Sequence, residues 1–303
     1  MSRGAGKGPK GGPRGPKGVG GGKGSGGGPN RGRGRDGQRG TTPVRAADGG
    51  GGKGGSLGGD QVEGRHAVRE LLLAGTRRTR EVLLAGDLDA APILDEIIDL
   101  ADEDKVTITE ISRAKFESMT RTEGSQGVLA TAQPLRPTEL EELLEPGFDG
   151  SPPFLLLLDG ITDPGNLGAI LRTAECAGVS GIVLPRHRAA RITPTVAKSA
   201  AGAIEHLPMA LVGGLPAAMT TLKKRGIWNV GLDAGGECSI HELTVADEPV
   251  ALALGAEGAG LSRLVRERCD TVASIPMAGV LDSLNVSAAA AVACYEVART
   301  RGN

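Results

Sequence analysis

Residues 275–293 read IPMAGVLDSLNVSAAAAVA. An apolar, strand-like lead-in stops at Pro276 and turns at Gly279. Ser283, Asn285 and Ser287 then stand on alternate positions, ahead of a run of alanine and valine. Proline and glycine let a chain leave a strand and fold back tightly, and small polar residues suit the first position of a helix. A helix with so little bulk can approach another backbone closely. Alone, SLNVS reads equally well as a helix cap and as a binding loop. What stands beside it decides.

Two further loops in the same half follow buried strands. FLLLLDG (154–160) runs into ITDPGNLGAILRTAECAG (161–178), where Asp159, Asp163, Pro164, Gly165 and Asn166 crowd the carboxyl end of a strand just before a helix. Open α/β sheets bind ligands at that place. Arg172 lies six residues further on, among Ile170, Leu171 and Ala174. A guanidinium there either snorkels to solvent or faces a polyanion. The other loop, ALALGAEGAGLS (251–262), orders its glycines GxxGxG, whereas dinucleotide sites use GxGxxG. Glu257 inside the turn would repel a pyrophosphate, so an uncharged or cationic ligand fits better.

Around these loops the chain alternates apolar strands with helical stretches. Strands are predicted at 154–159, 181–185, 207–212, 228–233, 250–255 and 272–276, and helices at 166–177, 194–205, 215–225, 262–269 and 285–301. The pattern gives an α/β domain over 153–303 with a mostly parallel sheet covered on both faces. A smaller α/β unit is predicted over 61–133. VEGRHAVRELLLAG (62–75) reads as a helix with Val68, Leu71 and Leu72 on one side and Gly75 as its stop. APILDEIIDLADED (91–104) reads as an amphipathic helix with Ile93, Ile97 and Leu100 on one face, and SRAKFESM (112–119) as a third helix. EVLLAG, VTITEI and QGVLATA read as strands. Residues 134–152, rich in proline, read as a linker.

Of the 50 glycines, 26 lie in residues 1–59, in runs such as GVGGGKGSGGGPNRGRGRDG (18–37). Such a segment buries too little apolar surface to offset its ordering entropy, so residues 1–60 are expected to form a disordered tail. Twelve Lys and Arg against Asp36 and Asp48 make residues 1–59 basic, while the remainder holds 23 basic against 34 acidic residues. A basic arm on an acidic body points to contact with RNA through its phosphates. Cys176, Cys238, Cys269 and Cys294 show no paired spacing, and the four histidines are scattered. A disulfide framework and a metal site are therefore not expected, and a reducing compartment is. No apolar run reaches membrane-spanning length.

NLGAILRTAECAG, LGAEGAGLS and IPMAGVLDSLNVS, in this order, resemble the three motifs of the SpoU/TrmH family of RNA ribose 2′-O-methyltransferases, within the SPOUT class. The likeness continues through KSAAGAIEHLP (198–208) and upstream through VEGRHAVRELL, covering roughly residues 61–303. It is greatest to the branch that methylates a guanosine ribose of 23S ribosomal RNA. The resemblance implies a trefoil-knotted methyltransferase domain behind a small RNA-binding domain, a homodimer, and a cytoplasmic enzyme. It implies S-adenosylmethionine held by Leu254, Gly255, Gly258, Ile275, Met277, Leu284 and Asn285, with no metal and no membrane partner. Asn166, Arg172, Glu257, Ser283 and Asn285 are the implied catalytic residues. Whether Arg172 acts as base or as phosphate clamp, and which subunit supplies which residue, stays open. A tRNA ribose methyltransferase and a non-catalytic ribosome-assembly factor of the same fold are the alternatives.

Overall fold

The computed structural model describes residues 56–147, 150–187 and 191–302. Nearly all of the expected tail lies outside the described residues. Its last residues are packed: Leu57 is buried, and the Gly59 N–H donates to the Ile192 carbonyl at 2.8 Å.

The first unit runs β1 (Gln61–Glu63), α1 (Arg65–Ala74), β2 (Thr79–Ala85), α2 (Pro92–Glu103), β3 (Thr107–Ile111), α3 (Arg113–Met119) and β4 (Val128–Ala132). Its sheet has the order β1-β4-β2-β3, with β2 and β3 parallel and β4 antiparallel to both neighbours. Helix α1 buries Ala67, Val68, Leu71 and Leu72 and ends at Gly75 in the left-handed region, φ 58°. One reading needs correction and one is refined. Gly64, at φ 102°, separates a short strand from α1, so Val62 and Glu63 belong to the sheet. Helix α2 turns Leu94, Ile97 and Ala101 inward, leaving Ile93 and Leu100 half-buried at the edge of the same cluster. Both stripes have helical spacing, and only the angle at which α2 lies on the sheet selects between them.

The second unit runs β5 (Phe154–Leu158), α4 (Pro164–Cys176), β6 (Gly181–Pro185), α5 (Pro194–Ser199), β7 (Met209–Val212), α6 (Leu215–Lys224), β8 (Trp228–Leu232), β9 (Cys238–Ser239), β10 (Val250–Leu254), α7 (Arg263–Arg266), β11 (Thr271–Ser274) and α8 (Val286–Thr300). Its sheet order is β7-β6-β5-β10-β8-β11-β9, and every pairing is parallel. Strand β5 is apolar throughout because both of its faces are covered. Phe154, Leu156 and Leu158 pack with α4, α5 and α8, while Leu155 and Leu157 pack with α6 and α7. The region read as a linker contributes to the second layer: Leu140–Leu144 form a 3-10 turn whose Leu143 and Leu144 are buried there.

The helix expected at 194–205 is broken. Helix α5 stops at Ser199, Ala201 and Gly202 take φ of 49° and 94°, and a 3-10 turn follows at Ala203–Glu205. Glycine is required at 202, where a Cβ would stand 2.3 Å from the Glu70 Cβ. The break therefore lets α1 of the first unit sit against this turn. Helix α7 is likewise shorter than expected.

A buried ion pair joins the two units. Arg77 donates through Nε and Nη2 to the Glu205 carboxylate at 2.8 and 2.6 Å, with side chains 6% and 1% exposed. Arg77 also donates to the Gln133 carbonyl at 2.6 Å. At the far end, the Arg301 guanidinium binds the carbonyls of Pro152, Pro153, Ala246 and Glu248 and lies over the Phe154 ring, fixing the end of α8. Removing one partner of a buried pair strands the other charge. Glu205→Ala is thus expected to cost about 3–5 kcal/mol in urea unfolding. A cost below about 1 kcal/mol would show that the pair behaves as a surface one.

Candidate active site

Strands β5, β8, β10 and β11 are adjacent, so their following loops meet at one edge of the sheet. In the first loop, Asp159 ties two of them together. Its N–H donates to the Leu254 carbonyl at 2.8 Å, and its carboxylate accepts from the Ser262 N–H at 2.7 Å. Asp163 caps α4, accepting from the Asn166 N–H at 2.7 Å, which sets Asn166 in the first turn.

The second loop closes on itself. Ala256 and Gly260 exchange main-chain hydrogen bonds of 3.0 and 2.8 Å across the turn. A Cβ on Gly255 would lie 2.1 Å from the Gly260 carbonyl carbon, so glycine is obligatory there. In the third loop, Asn285 caps α8. Its Oδ1 accepts from the Ser287 N–H at 2.9 Å and from the Ser287 hydroxyl at 2.6 Å. The cap reading of SLNVS holds, and capping through Oδ1 leaves the Asn285 amide nitrogen to point elsewhere.

That nitrogen closes a three-residue cluster. Asn285 Nδ2 donates to Asn166 Oδ1 at 3.0 Å and to Glu257 Oε1 at 3.3 Å, while Asn166 Nδ2 donates to Glu257 Oε2 at 3.1 Å. Asn166, Glu257 and Asn285 come together from the three loops. Ser283 does not join them; its hydroxyl donates to Asp282 at 3.0 Å. Arg172 stands apart as well. Six residues along α4 from Asn166 leave it about two-thirds of a turn out of phase, and it borders a different cavity, with His66 and His206. Arg172 is exposed, and its side chain makes no hydrogen bond or ion pair among the described residues.

Beside the cluster lies a cavity of about 630 Å³. Leu254, Gly255, Gly258, Ile275, Met277 and Leu284 line it, together with Glu257, Ser283 and Asn285. Asp233 and Asp282 also line it, and among the described residues no lysine or arginine does. Main-chain groups, apolar side chains and carboxylates suit a cationic, unphosphorylated ligand. The Gly255 cradle, which a Cβ would fill, supplies close approach to backbone.

Sequence reasoning missed Asp233, just past β8; Ser287, read with Ser283 and Asn285 as a polar group at the start of the last helix, is the residue that orients Asn285. Burial opposes the charge on Asp233, but the Gly235 N–H and the Arg266 guanidinium, 2.8 Å away, outweigh it and hold the carboxyl below its ordinary range. The signal for Asp233 was its place at a strand's carboxyl end next to two glycines. Burial pushes Cys269 up to about 11 and Cys294 up to about 12, so both thiols stay protonated at neutral pH. Among the described residues, no group of three or more His, Cys, Asp or Glu is arranged to hold a metal ion. No described helix is long and apolar enough to cross a membrane.

Residues 153–295 match the SpoU rRNA Methylase family, and residues 61–138 match the RNA 2′-O ribose methyltransferase substrate binding family. The putative TrmH family tRNA/rRNA methyltransferase YacO of Bacillus subtilis is 40% identical over 243 residues, which cover 80% of this chain and 96% of YacO. The chain belongs to the SpoU rRNA methylase family. A second relative, the 23S rRNA (guanosine-2′-O-)-methyltransferase RlmB of Pseudomonas putida, is 38% identical over 246 residues, covering 80% of this chain and 97% of that one. The crystal structure of the SpoU methyltransferase AviRb from Streptomyces viridochromogenes, in complex with the cofactor AdoMet, superimposes with a TM-score of 0.65 at 27% identity, over 80% of this chain and 89% of AviRb. This SpoU methylase is an S-adenosylmethionine-dependent RNA 2′-O-methyltransferase, and the cation-fitting cavity is in keeping with that cofactor.

Gly255→Ala is expected to weaken S-adenosylmethionine binding at least about tenfold by calorimetry, since the loop must open to admit the methyl group. Gly213→Ala, where a Cβ meets nothing within 4 Å, is the control and should bind normally.

Proposed function

We propose that this protein methylates the ribose 2′-hydroxyl of a guanosine in 23S ribosomal RNA, in the cytoplasm and as a homodimer. The observation that carries the reading is the Asn166–Glu257–Asn285 cluster on the rim of a cavity suited to a cation. The substrate follows the Pseudomonas putida relative, whose name specifies it, and the substrate-binding family match over 61–138.

S-adenosylmethionine, when bound, supplies a methyl group already activated on a sulfonium. The protein's tasks are to orient the 2′-hydroxyl and to provide for its proton. Leu254, Gly255, Gly258, Ile275, Met277 and Leu284 hold the cofactor. Asn166 and Asn285 fix the Glu257 carboxylate, an ionisable acceptor beside the cavity, and Glu257 takes the proton. Ser283 contributes at the cavity wall. Arg172 holds a substrate phosphate, which a planar guanidinium fits with two parallel donors.

Within one chain, Arg172 lies out of phase with Asn166 on α4 and borders a separate cavity. A second copy bringing its own Arg172 to the Asn166–Glu257–Asn285 cluster completes the site, which gives the dimer a catalytic reason. The trefoil knot belongs to the same reading. Strand β11 lies between β8 and β9, although it follows both in sequence, an order in keeping with such threading.

Arg172→Ala is expected to reduce methyl transfer to ribosomal RNA about a hundredfold or more while leaving S-adenosylmethionine binding unchanged. Mixing Arg172→Ala subunits with Asn285→Ala subunits tests the shared site. Each mixed dimer then contains one intact site, and activity should recover to about a quarter of wild type. No recovery in verified mixed dimers would mean that each site is built from one chain.

A further inference from the structure

The cavity at Arg172 lies where the two units meet, and the reaction as described uses only that arginine from it. It has a volume of about 340 Å³, with His66 and Glu70 of α1 on one side and Arg172 and Glu175 of α4 on the other. Ala200, Ala201 and Ala203 form its floor. These small side chains leave room above them, and Ala201 holds a left-handed φ of 49°, a conformation that a residue with a Cβ adopts at some cost.

The polar groups divide into occupied and free. Glu70 is engaged on both sides, in an ion pair with Arg69 at 2.6 Å and in contact with the His206 ring at 2.9 Å. His66 and Arg172 are both exposed, and neither makes a side-chain hydrogen bond or ion pair among the described residues. They offer donors into the same opening from opposite units. Glu175 adds an acceptor. Two donors with one nearby acceptor suit a sugar-phosphate unit, whose phosphate accepts and whose ribose hydroxyl donates; a bare anion has no use for the carboxylate.

The opening is also held in shape. Glu205, next to His206, carries the buried pair with Arg77, and Lys198 donates across the same boundary to the Glu123 carbonyl. Gly202 permits the close approach of α1. The unit matched as substrate binding thus presents its first helix beside the arginine of the methyltransferase unit without having to move.

We propose that this junction cleft seats a ribonucleotide of the RNA substrate that flanks the methylated one, with His66 and Arg172 sharing its phosphate. His66 is a positioning residue, acting on the strand and not on the reacting atoms. The inference rests on Arg172 working against RNA, as proposed above, and deepens that reading by assigning the neighbouring subsite.

The test is direct titration of an unmethylated ribosomal RNA fragment, with turnover measured separately. His66→Ala should weaken RNA binding about tenfold and raise KM for RNA equally. S-adenosylmethionine affinity, kcat at saturating RNA and Tm should stay at wild-type values. His66→Gln, which keeps a donor, should recover most of the loss. RNA binding by His66→Ala equal to wild type would overturn the subsite, as would a loss that falls on kcat alone. Failure of the wild-type protein to methylate any ribosomal RNA fragment it binds would instead sink the functional reading and leave the titration to judge the cleft.

Discussion

Burial of β5 and β10 on both faces is the constraint from which the site follows. With helices above and below, these strands are fixed side by side in parallel register from Val250 opposite Phe154 to Leu254 opposite Leu158. Their carboxyl ends therefore finish level, and the loops that leave them have one place to go. Asp159 reinforces this by bonding both to Leu254 and to Ser262. The third loop joins because β11 pairs with β8, itself the other neighbour of β10.

Small residues then determine how close the pieces come. Gly255 against Gly260, and Gly168 against Ser199 and Val196, are contacts that a Cβ would forbid. The alanine-rich start of α8 serves the same end: Ala290 and Ala293 are fully buried where α8 packs on α4. Helix α8 is held at both ends, by Asn285 in the cluster and by Arg301 on four carbonyls. Packing and chemistry share the same residues here.

The division of labour between the two units is electrostatic. Among the described residues, the cavity beside the Asn166–Glu257–Asn285 cluster is lined by carboxylates without a basic residue, whereas the junction cleft presents Arg172 and His66 unpaired. Within one chain the acidic and the basic cavity are thus separate places that share helix α4. Its first turn carries Asn166, and its later turns carry Arg172 and Glu175.

The sequence by itself determined the alternation of strands and helices, the loops that carry function, and a family resemblance legible in NLGAILRTAECAG, LGAEGAGLS and IPMAGVLDSLNVS. Those features are local: apolar periodicity, strand ends, and turn residues in order along the chain. Tertiary structure decided the rest. It chose Leu94 and Ala101 over Ile93 and Leu100 as the buried edge of α2, and split the helix at 194–205 so that α1 could dock. It separated Arg172 and Ser283 from the Asn166–Glu257–Asn285 cluster, and brought His66 to Arg172 across more than a hundred residues of chain. Helical and strand periods say which residues share a face of one element, but the angle and depth at which elements pack set which faces meet. That information lies in pairwise contacts between distant segments, where no single stretch of sequence carries it.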